Sequence, residues 1–325
     1  MKRWYASVNF GLELAASKII KSYGAKDIQV LDSALIFSCA HPIDVKCINN
    51  LFMILVSYAS DNISGAAKQL LTSARRVKYP RLEGRTFRVI IMDCGKLRAI
   101  STSTMKEIEK TISRNTKLSV NRANPDIEIW LNRRNNNAVY FMVRVKKHPS
   151  FDKNLKKGEL RPDIVDIMIH MAKTNKGMVI ADPFGGWGAI AAAVTESGRY
   201  KKMHTGDIEE ECVRYQKNRL QGKRDCIVTK WDALKLPLED KSVDAIITDP
   251  PWGEYQDLDI EPLYEGFIRE AVRVLADKGV LVFLSSALEI ASIVLKKHNF
   301  RFSYTPLKLS GKDTFLLYAK MKENK

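Results

Sequence analysis

Residues 178–188 read Met-Val-Ile-Ala-Asp-Pro-Phe-Gly-Gly-Trp-Gly, and an alanine-rich run follows from 189 to 196. The short apolar run predicts a buried strand, the second run predicts a helix, and the glycines between them predict a tight turn. Asp182 then stands at the carboxyl end of the strand, the edge of an open α/β sheet where ligands bind. A phosphate loop is not expected, because the turn is neither GxGxxG nor followed by Gly-Lys-Ser/Thr.

From Asp163 onward, helices and strands alternate. Helices are predicted over 164–172, 189–196, 209–220, 262–275 and 287–297, and strands over 178–181, 203–205, 227–229, 243–248, 280–285, 302–304 and 314–320. Strands separated by helices of this length favour a parallel sheet with helices on both faces. The two closing strands have a short link, which predicts an antiparallel edge. The second half of the chain is therefore expected to be an α/β domain with a mixed, mostly parallel sheet.

Acids follow three successive strands of this predicted sheet. Asp207 ends the second strand, where an acid can bind two ribose hydroxyls, and Asp232 follows the third, where it can accept from an adenine amine. Three acids in the absence of a phosphate-binding loop favour an adenosine that carries no phosphates, and S-adenosylmethionine is such a ligand. NAD is the main alternative, but the turn lacks the glycine fingerprint of NAD-binding folds. The candidate cofactor-binding residues are Asp182, Phe184, Gly185, Gly186, Gly188, Asp207, Ile208, Asp232 and Ala233.

The candidate reactive site is Asp249-Pro250-Pro251-Trp252-Gly253, at the end of the apolar strand 243–248. An exocyclic amine on a nucleobase is a poor nucleophile, because its lone pair is delocalised into the ring. Acceptors on the amine hydrogens, here the Asp249 carboxylate and the Pro250 carbonyl, can localise that lone pair. The proline pair has no N–H to compete, and Trp252 can stack on a flipped base. This pattern indicates methyl transfer to an exocyclic nitrogen, achieved mostly by positioning.

Charge is concentrated in the first half of the chain. Residues 1–155 hold 26 Lys and Arg against 12 Asp and Glu, a balance of +14, whereas residues 156–325 hold 27 against 25, a balance of +2. An excess confined to one half favours a polyanion-binding module, with nucleic acid as the expected partner, attached to a nearly neutral one. The alternative is a solvated, soluble surface in a basic proteome. The candidate RNA-binding residues are Arg75, Arg76, Lys78, Arg81 and Arg161.

The first half itself is predicted to be mixed α and β. Among its elements are a helix over 42–51, opened by a proline, and a hairpin at Asn135-Asn136-Asn137, since Asn tolerates positive φ. The basic stretch 146–162 lacks apolar periodicity and is predicted to be a linker.

Other features of the composition define what is not expected. The five cysteines and five histidines show no zinc spacing, so no metal site is predicted and the thiols are expected to be reduced. No run of about 18 apolar residues is present, so no membrane span is expected. We expect a cytoplasmic protein that acts as a monomer.

These residues resemble the Rossmann-fold amino-methyltransferases, whose signature is (Asp/Asn/Ser)-Pro-Pro-(Tyr/Phe/Trp). Gly11-Leu12-Glu13-Leu14-Ala15-Ala16 is similar to the ferredoxin-like region of THUMP-containing RNA methyltransferases, 124–129 to the end of a THUMP domain, and 157–162 to the linker that follows it. The resemblance implies a ferredoxin-like region over 1–60, a THUMP domain over 61–145, a linker over 146–162 and a Rossmann-like methyltransferase domain over 163–325. It also implies N2-methylguanosine formation in tRNA with S-adenosylmethionine.

The chain departs from the family pattern at three places. Phe184-Gly185 stands where a Met/Cys-type pair is more frequent, Trp187 where Ser or Thr is usual, and Trp252 where Tyr or Phe is more frequent. Asp-Pro-Pro-Trp also occurs in adenine-N6 and cytosine-N4 enzymes. Two alternatives therefore stay open: adenine-N6 methyl transfer to RNA or DNA, and a non-catalytic RNA-binding protein with a methyltransferase-like domain. The intact acids and glycines argue against the second.

Overall fold

The computed structural model describes residues 1–74, 77–147, 155–252, 259–309 and 311–322. The chain forms two compact units. Unit 1 consists of Met1–Val8, Ile20–Asp44 and Ile48–His148, and unit 2 of Asn9–Ile19, Val45–Cys47 and Pro149–Lys325.

Unit 1 is built on one nine-stranded sheet. Its strands are β1 (Lys2–Ser7), β2 (Lys26–Leu31), β3 (Ala34–Cys39), β4 (Asn50–Ala59), β5 (Thr86–Asp93), β6 (Lys96–Leu97), β7 (Ser119–Val120), β8 (Ile127–Arg133) and β9 (Ala138–Lys147). The order is β2-β3-β1-β4-β9-β8-β5-β6, with β7 paired to β5. Because β4 pairs antiparallel with β9, the segments predicted as the ferredoxin-like region and the THUMP domain share this sheet. Their boundaries stay a prediction.

Two helices supply the apolar cover of unit 1. Helices α2 (Ile63–Ala74) and α3 (Thr102–Thr116) follow α1 (Glu13–Ser22), most of which lies in unit 2. Leu70 of α2 and Ile112 of α3 are buried in one cluster with Phe141 of β9. The predicted hairpin between β8 and β9 is confirmed: Asn137 has φ of 61°, and Arg134 donates its N–H to the Ala138 carbonyl at 2.8 Å.

Unit 2 carries the mixed sheet that the sequence predicts. Its strands are β10 (Val179–Asp182), β11 (Lys202–Asp207), β12 (Cys226–Lys230), β13 (Val243–Thr248), β14 (Leu275–Ser285), β15 (Phe300–Leu309) and β16 (Lys312–Met321). The order is β12-β11-β10-β13-β14-β16-β15. Strands β10 to β14 pair in parallel, and β16 pairs antiparallel with both β14 and β15. The predicted α/β class and the antiparallel edge are confirmed.

Helices flank this sheet and position its edge. They are α4 (Pro162–Met171), α5 (Ala189–Ser197), α6 (Glu210–Arg219), α7 (Ile260–Val274) and α8 (Leu288–Lys297). Strand β13 contains three successive apolar residues, Ala245, Ile246 and Ile247, that are completely buried. This is expected of a central parallel strand covered on both faces. The strand order reverses at β10 and β13, which opens a crevice at their carboxyl ends where ligands of such folds bind.

The helix predicted over 42–51 does not form. The segment is irregular, and β4 begins at Asn50. Its apolar residues are nevertheless buried, with Val45 4% and Cys47 0% exposed. The Cys47 N–H donates to Asp166 Oδ2 at 2.9 Å, so a side chain of α4 satisfies a donor that a helix would have paired internally.

None of the helices within the described ranges has both the length and the apolar character required to cross a lipid bilayer.

Candidate active site

Three acids meet at the carboxyl edge of the sheet in unit 2. Asp182 is the last residue of β10, Asp207 is the last residue of β11, and Asp249 follows β13 directly. Asp207 and Asp249 lie close enough to Asp182 for their charges to raise its pKa. The strand-end positions therefore bring together residues that are far apart in sequence, as the sequence predicted.

Asp182 is fully buried, and only one of its two carboxylate oxygens has a hydrogen-bond partner among the described residues. Its Oδ1 accepts from Thr248 Oγ1 at 2.7 Å, and the same hydroxyl accepts from the Phe184 N–H at 3.2 Å. Its Oδ2 has no hydrogen-bond partner among the described residues. Burial raises the pKa of Asp182 to about 8, although the Thr248 hydrogen bond opposes this. A buried carboxylate oxygen with unused acceptor capacity fits a ligand that presents a cationic or N–H donor.

The glycine turn after β10 is tight on one side and open on the other. A Cβ on Gly185 would lie 2.5 Å from Thr205 Oγ1 and 2.9 Å from the Gly206 carbonyl oxygen, so only glycine fits against β11. Gly186 has φ of 48°, and nothing lies within 4 Å of the position its Cβ would take. The backbone is therefore free for a ligand to approach at Gly186, and Gly188 then caps α5.

Asp207 holds this turn as well as facing the crevice. Its Oδ2 accepts from the Gly186 N–H at 2.8 Å, and its Oδ1 accepts from the Glu209 N–H at 3.0 Å. A carboxylate has about four acceptor positions, so each oxygen retains one for a ligand hydroxyl. The neighbouring Ile208 is 61% exposed, which leaves an apolar side chain uncovered beside the acid.

Asp232 and Ala233 lie in a turn after β12. Asp232 Oδ1 accepts from the Leu234 N–H at 2.8 Å, the side chain is exposed, and Ala233 is buried. The buried Trp231 donates its indole N–H to the Pro183 carbonyl at 2.9 Å. This bond ties the third strand end to the glycine turn.

Among the residues that the structure describes, Asp249 receives one side-chain hydrogen bond, from Trp252. The indole Nε1 donates to Asp249 Oδ1 at 3.1 Å, and burial raises the pKa of the carboxyl to about 7. Pro250 is buried and Pro251 is exposed. Gly253 lies outside the described residues. The indole N–H thus presents to the carboxylate the type of donor that a substrate amine would present, while stacking of Trp252 on a base stays a prediction.

The candidate RNA-binding residues differ in their surroundings. Lys78 and Arg81 are exposed on unit 1, whereas Arg75 and Arg76 lie outside the described residues. Arg161 is engaged in unit 2, where its Nε donates to Oδ1 of the buried Asp163 at 3.0 Å. A contact from Arg161 to RNA stays a prediction.

Metal-binding side chains do not cluster in the described parts of the chain, where no group of three or more His, Cys, Asp or Glu residues is arranged to hold an ion.

Sequence reasoning missed four residues that shape the site: Thr205, Gln216, Trp231 and Thr248. Gln216 offered a signal, because the buried Val213 precedes it by three residues and the buried Leu220, at the C-cap of α6, follows it by four. A polar residue on the apolar face of a helix needs hydrogen-bond partners. Its partners could not be identified from spacing, since they lie on other elements.

The raised pKa of Asp182 predicts a pH-dependent cost in stability. The folded state keeps the Asp182 proton to about pH 8, whereas an unfolded aspartate loses it near pH 4. Stability contributed by this group is therefore lost as pH rises from about 4 toward 8. Asp182→Asn keeps an acceptor for Thr248 but has no proton to lose. Between pH 5 and pH 8, the free energy of unfolding of the wild type should therefore fall by roughly 2 kcal/mol or more relative to that of Asp182→Asn.

Chemical denaturation of the ligand-free proteins at both pH values measures this difference. Asp277→Asn serves as the control, because the Asp277 side chain is 80% exposed and pairs with a surface lysine. Parallel stability curves for Asp182→Asn and the wild type would exclude a buried, proton-binding Asp182.

An open α/β sheet with a glycine turn after its first strand, acids after three strands and Asp-Pro-Pro-Trp after the fourth defines a doubly wound fold with a ligand-binding crevice at the carboxyl edge. Residues 150–305 match the family model described as "UPF0020: RMKL-like, methyltransferase domain". Residues 150–305, just under half of the chain, are therefore similar to a methyltransferase domain of that family. The resemblance to amino-methyltransferases is confirmed.

Two curated relatives are similar in sequence. The tRNA (guanine(10)-N2)-dimethyltransferase of Methanothermobacter thermautotrophicus is 31% identical over 155 residues, which cover 46% of this chain and 45% of the relative. The tRNA (guanine(6)-N2)-methyltransferase of Thermus thermophilus is 25% identical over 222 residues, 66% of each chain. The alignments thus span 45% and 66% of the lengths of these relatives.

A solved structure confirms the fold. TrmN from Thermus thermophilus superposes with a TM-score of 0.76 at 20% identity, covering 99% of this chain and 100% of that one.

Proposed function

We propose that the chain transfers a methyl group from S-adenosylmethionine to the exocyclic N2 amine of a guanosine in tRNA. The observation that carries this proposal is Asp249, placed by β13 beside Asp182 and the glycine turn in a domain of a methyltransferase family. The guanine-N2 specificity of two tRNA-modifying relatives supports the choice of base.

The residues at the carboxyl edge fit the parts of this cofactor. The ammonium group would favour the ionised form of Asp182, whose unpartnered Oδ2 can then accept from it. The free acceptor positions of Asp207 can bind ribose hydroxyls. Asp232 and the Ala233 N–H would face the adenine, with the exposed Ile208 covering its ring. S-adenosylmethionine, when bound there, supplies an electrophilic methyl group on a sulfonium centre.

Asp249 would orient the nucleophile. As a carboxylate it accepts one amine hydrogen, and the Pro250 carbonyl accepts the other, which localises the nitrogen lone pair toward the methyl donor. The neutral amine keeps its protons until transfer, after which the cationic nitrogen is acidic. Asp249, with a pKa of about 7, can then take the released proton. The hydrogen bond from the Trp252 indole to Asp249 Oδ1 would break, and the ring would stack on the flipped base.

Unit 1 would bind the tRNA. The +14 balance of residues 1–155 supports phosphate contacts there, since the rest of the chain is nearly neutral. We assign 61–145 to a THUMP domain on the resemblance noted above, after a ferredoxin-like region at 1–60 and before a linker at 146–162. The protein is proposed to act as a monomer in the cytoplasm.

Transfer of tritium from labelled S-adenosylmethionine to bulk tRNA tests whether the protein is an enzyme. Label should accumulate in tRNA with the wild type and not with Asp249→Ala. Binding of tRNA without any transfer, at saturating cofactor, would instead support the non-catalytic RNA-binding alternative.

Loss of Asp207 should weaken binding of the cofactor. Asp207→Ala removes the ribose acceptors and also the partner of the Gly186 N–H. We expect S-adenosylmethionine affinity to fall by about 1.5–3 kcal/mol, the scale of a charge-assisted hydrogen bond. Isothermal titration measures it, with Asp277→Ala as the exposed control. Unchanged affinity would remove Asp207 from the ribose role.

A further inference from the structure

The side-chain amide of Gln216, on α6, is fully buried, and its hydrogen bonds are made to residues outside that helix. Its Oε1 accepts from Thr205 Oγ1 of β11 at 2.8 Å, and its Nε2 donates to the Gly186 carbonyl at 2.9 Å. Donor and acceptor are therefore both used, so the side chain fits only with the carbonyl toward Thr205 and the amino group toward Gly186.

With the bond from Gln216, the peptide groups on both sides of Gly186 are restrained. Asp207 holds the Gly186 N–H, and Gln216 holds the Gly186 carbonyl, so both polar groups of this residue are fixed. Gly186 is also the residue with the open side toward the crevice. Gln216 packs closely on the turn, since a Cβ on Gly185 would lie 2.8 Å from its Nε2 and one on Gly188 3.1 Å from its Cγ.

Other residues of α6 hold the turn one position further along. Arg219 donates from Nη1 to the Trp187 carbonyl at 2.9 Å, and the Tyr215 ring packs edge-on against the Trp187 ring at 5.4 Å. These two residues are partly exposed, whereas Gln216 is not. Helix α6 thus fixes the carbonyls of both Gly186 and Trp187, and Gln216 is its buried contact.

We propose that Gln216 is a positioning residue for the cofactor. By holding the peptide group that follows Gly186, Gln216 restricts rotation of the backbone at Gly186. The preceding peptide group then keeps its N–H directed at the Asp207 carboxylate, which receives the ribose. Gln216 touches neither cofactor nor substrate in this assignment. The inference rests on the proposed S-adenosylmethionine site.

Two substitutions separate positioning from packing. Gln216→Glu keeps the shape but sets a carboxylate against the Gly186 carbonyl, where no donor remains. Gln216→Met has similar volume and removes both hydrogen bonds. Gln221→Met is the matched control, because Gln221 is exposed just beyond the same helix.

The test is calorimetric titration of the full-length chain with S-adenosylmethionine, together with thermal unfolding without ligand. We expect both Gln216 variants to unfold cooperatively and to bind the cofactor about tenfold or more weakly, equivalent to about 1.4 kcal/mol. The KM for S-adenosylmethionine should rise while the KM for tRNA stays within about twofold, and Gln221→Met should match the wild type.

Cofactor affinity equal to wild type in either folded variant would overturn the inference. So would loss of cooperative unfolding in both variants, because Gln216 would then serve the fold itself. A wild type that binds no S-adenosylmethionine would instead refute the proposed function, so the two failures are distinguishable.

Discussion

Asp249→Ala is expected to cut methyl-transfer turnover by about a hundredfold or more, the scale of losing one preorganised polar group. The carboxylate is the acceptor that localises the amine lone pair, and the Pro250 carbonyl alone cannot fix both hydrogens. Cofactor affinity should change by less than about twofold, because Asp249 is not assigned a contact to the cofactor. Single-turnover kinetics and calorimetric titration measure the two quantities.

Asp249→Asn refines this test. It retains Oδ1, which accepts from the Trp252 indole N–H, but removes the negative charge. Its turnover should therefore lie between those of the wild type and Asp249→Ala. Asp277→Ala controls for loss of a surface acid. Equal losses in turnover and cofactor affinity, or a fully active Asp249→Ala, would show that Asp249 does not orient the amine.

The pH dependence of kcat/KM should also report the ionisation of Asp249. Only ionised Asp249 accepts from the amine, and its pKa in the free protein is about 7. The value of kcat/KM for tRNA should therefore rise with pH up to about 7 and then level off. In Asp249→Asn this limb should be absent. Retention of the limb in the variant would assign the titration to another group.

Reversal of Arg75, Arg76 and Lys78 to glutamate is expected to weaken tRNA binding more than any single change. Each phosphate contact contributes a slope of about −0.7 to −0.9 to the log–log dependence of affinity on salt. Loss of three contacts should flatten the slope by about 2 to 3, while S-adenosylmethionine affinity stays unchanged. Filter binding across a salt series measures both the slope and the affinity.

A matched triple reversal on unit 2 is the control. Lys201, Lys223 and Arg224 are exposed there, and their reversal changes net charge by the same amount. The first triple should weaken binding far more than the second. Equal effects of the two triples would mean that tRNA reads the total charge of the chain rather than a surface of its first half.

The sequence predicted the strand ends of unit 2 because their signals are local. Buried parallel strands are apolar runs, and Asp182, Asp207 and Asp249 each stand where such a run stops. Once the strands are parallel, their ends meet at one edge, so the position of the acids follows from the fold class. The glycine turn is local for the same reason.

Features that depend on distant partners could not be predicted. The segment 42–51 has helical composition, but a side chain of α4 takes up the Cys47 N–H. Asn9–Ile19 joins unit 2, where a Cβ on Gly11 would lie 2.8 Å from the Lys308 nitrogen, near the other end of the chain. The partners of Gln216 are equally remote in sequence. In each case the deciding contact lies on another element, which periodicity does not encode.

Guanosine N2 is the proposed acceptor of the methyl group. Nucleoside mass spectrometry of tRNA, isolated from cells lacking this protein and then treated with the purified protein and isotopically labelled S-adenosylmethionine, tests it most directly. We expect N2-methylguanosine that is absent before treatment and carries the label afterward. Label in N6-methyladenosine, or none in any nucleoside, would contradict this assignment.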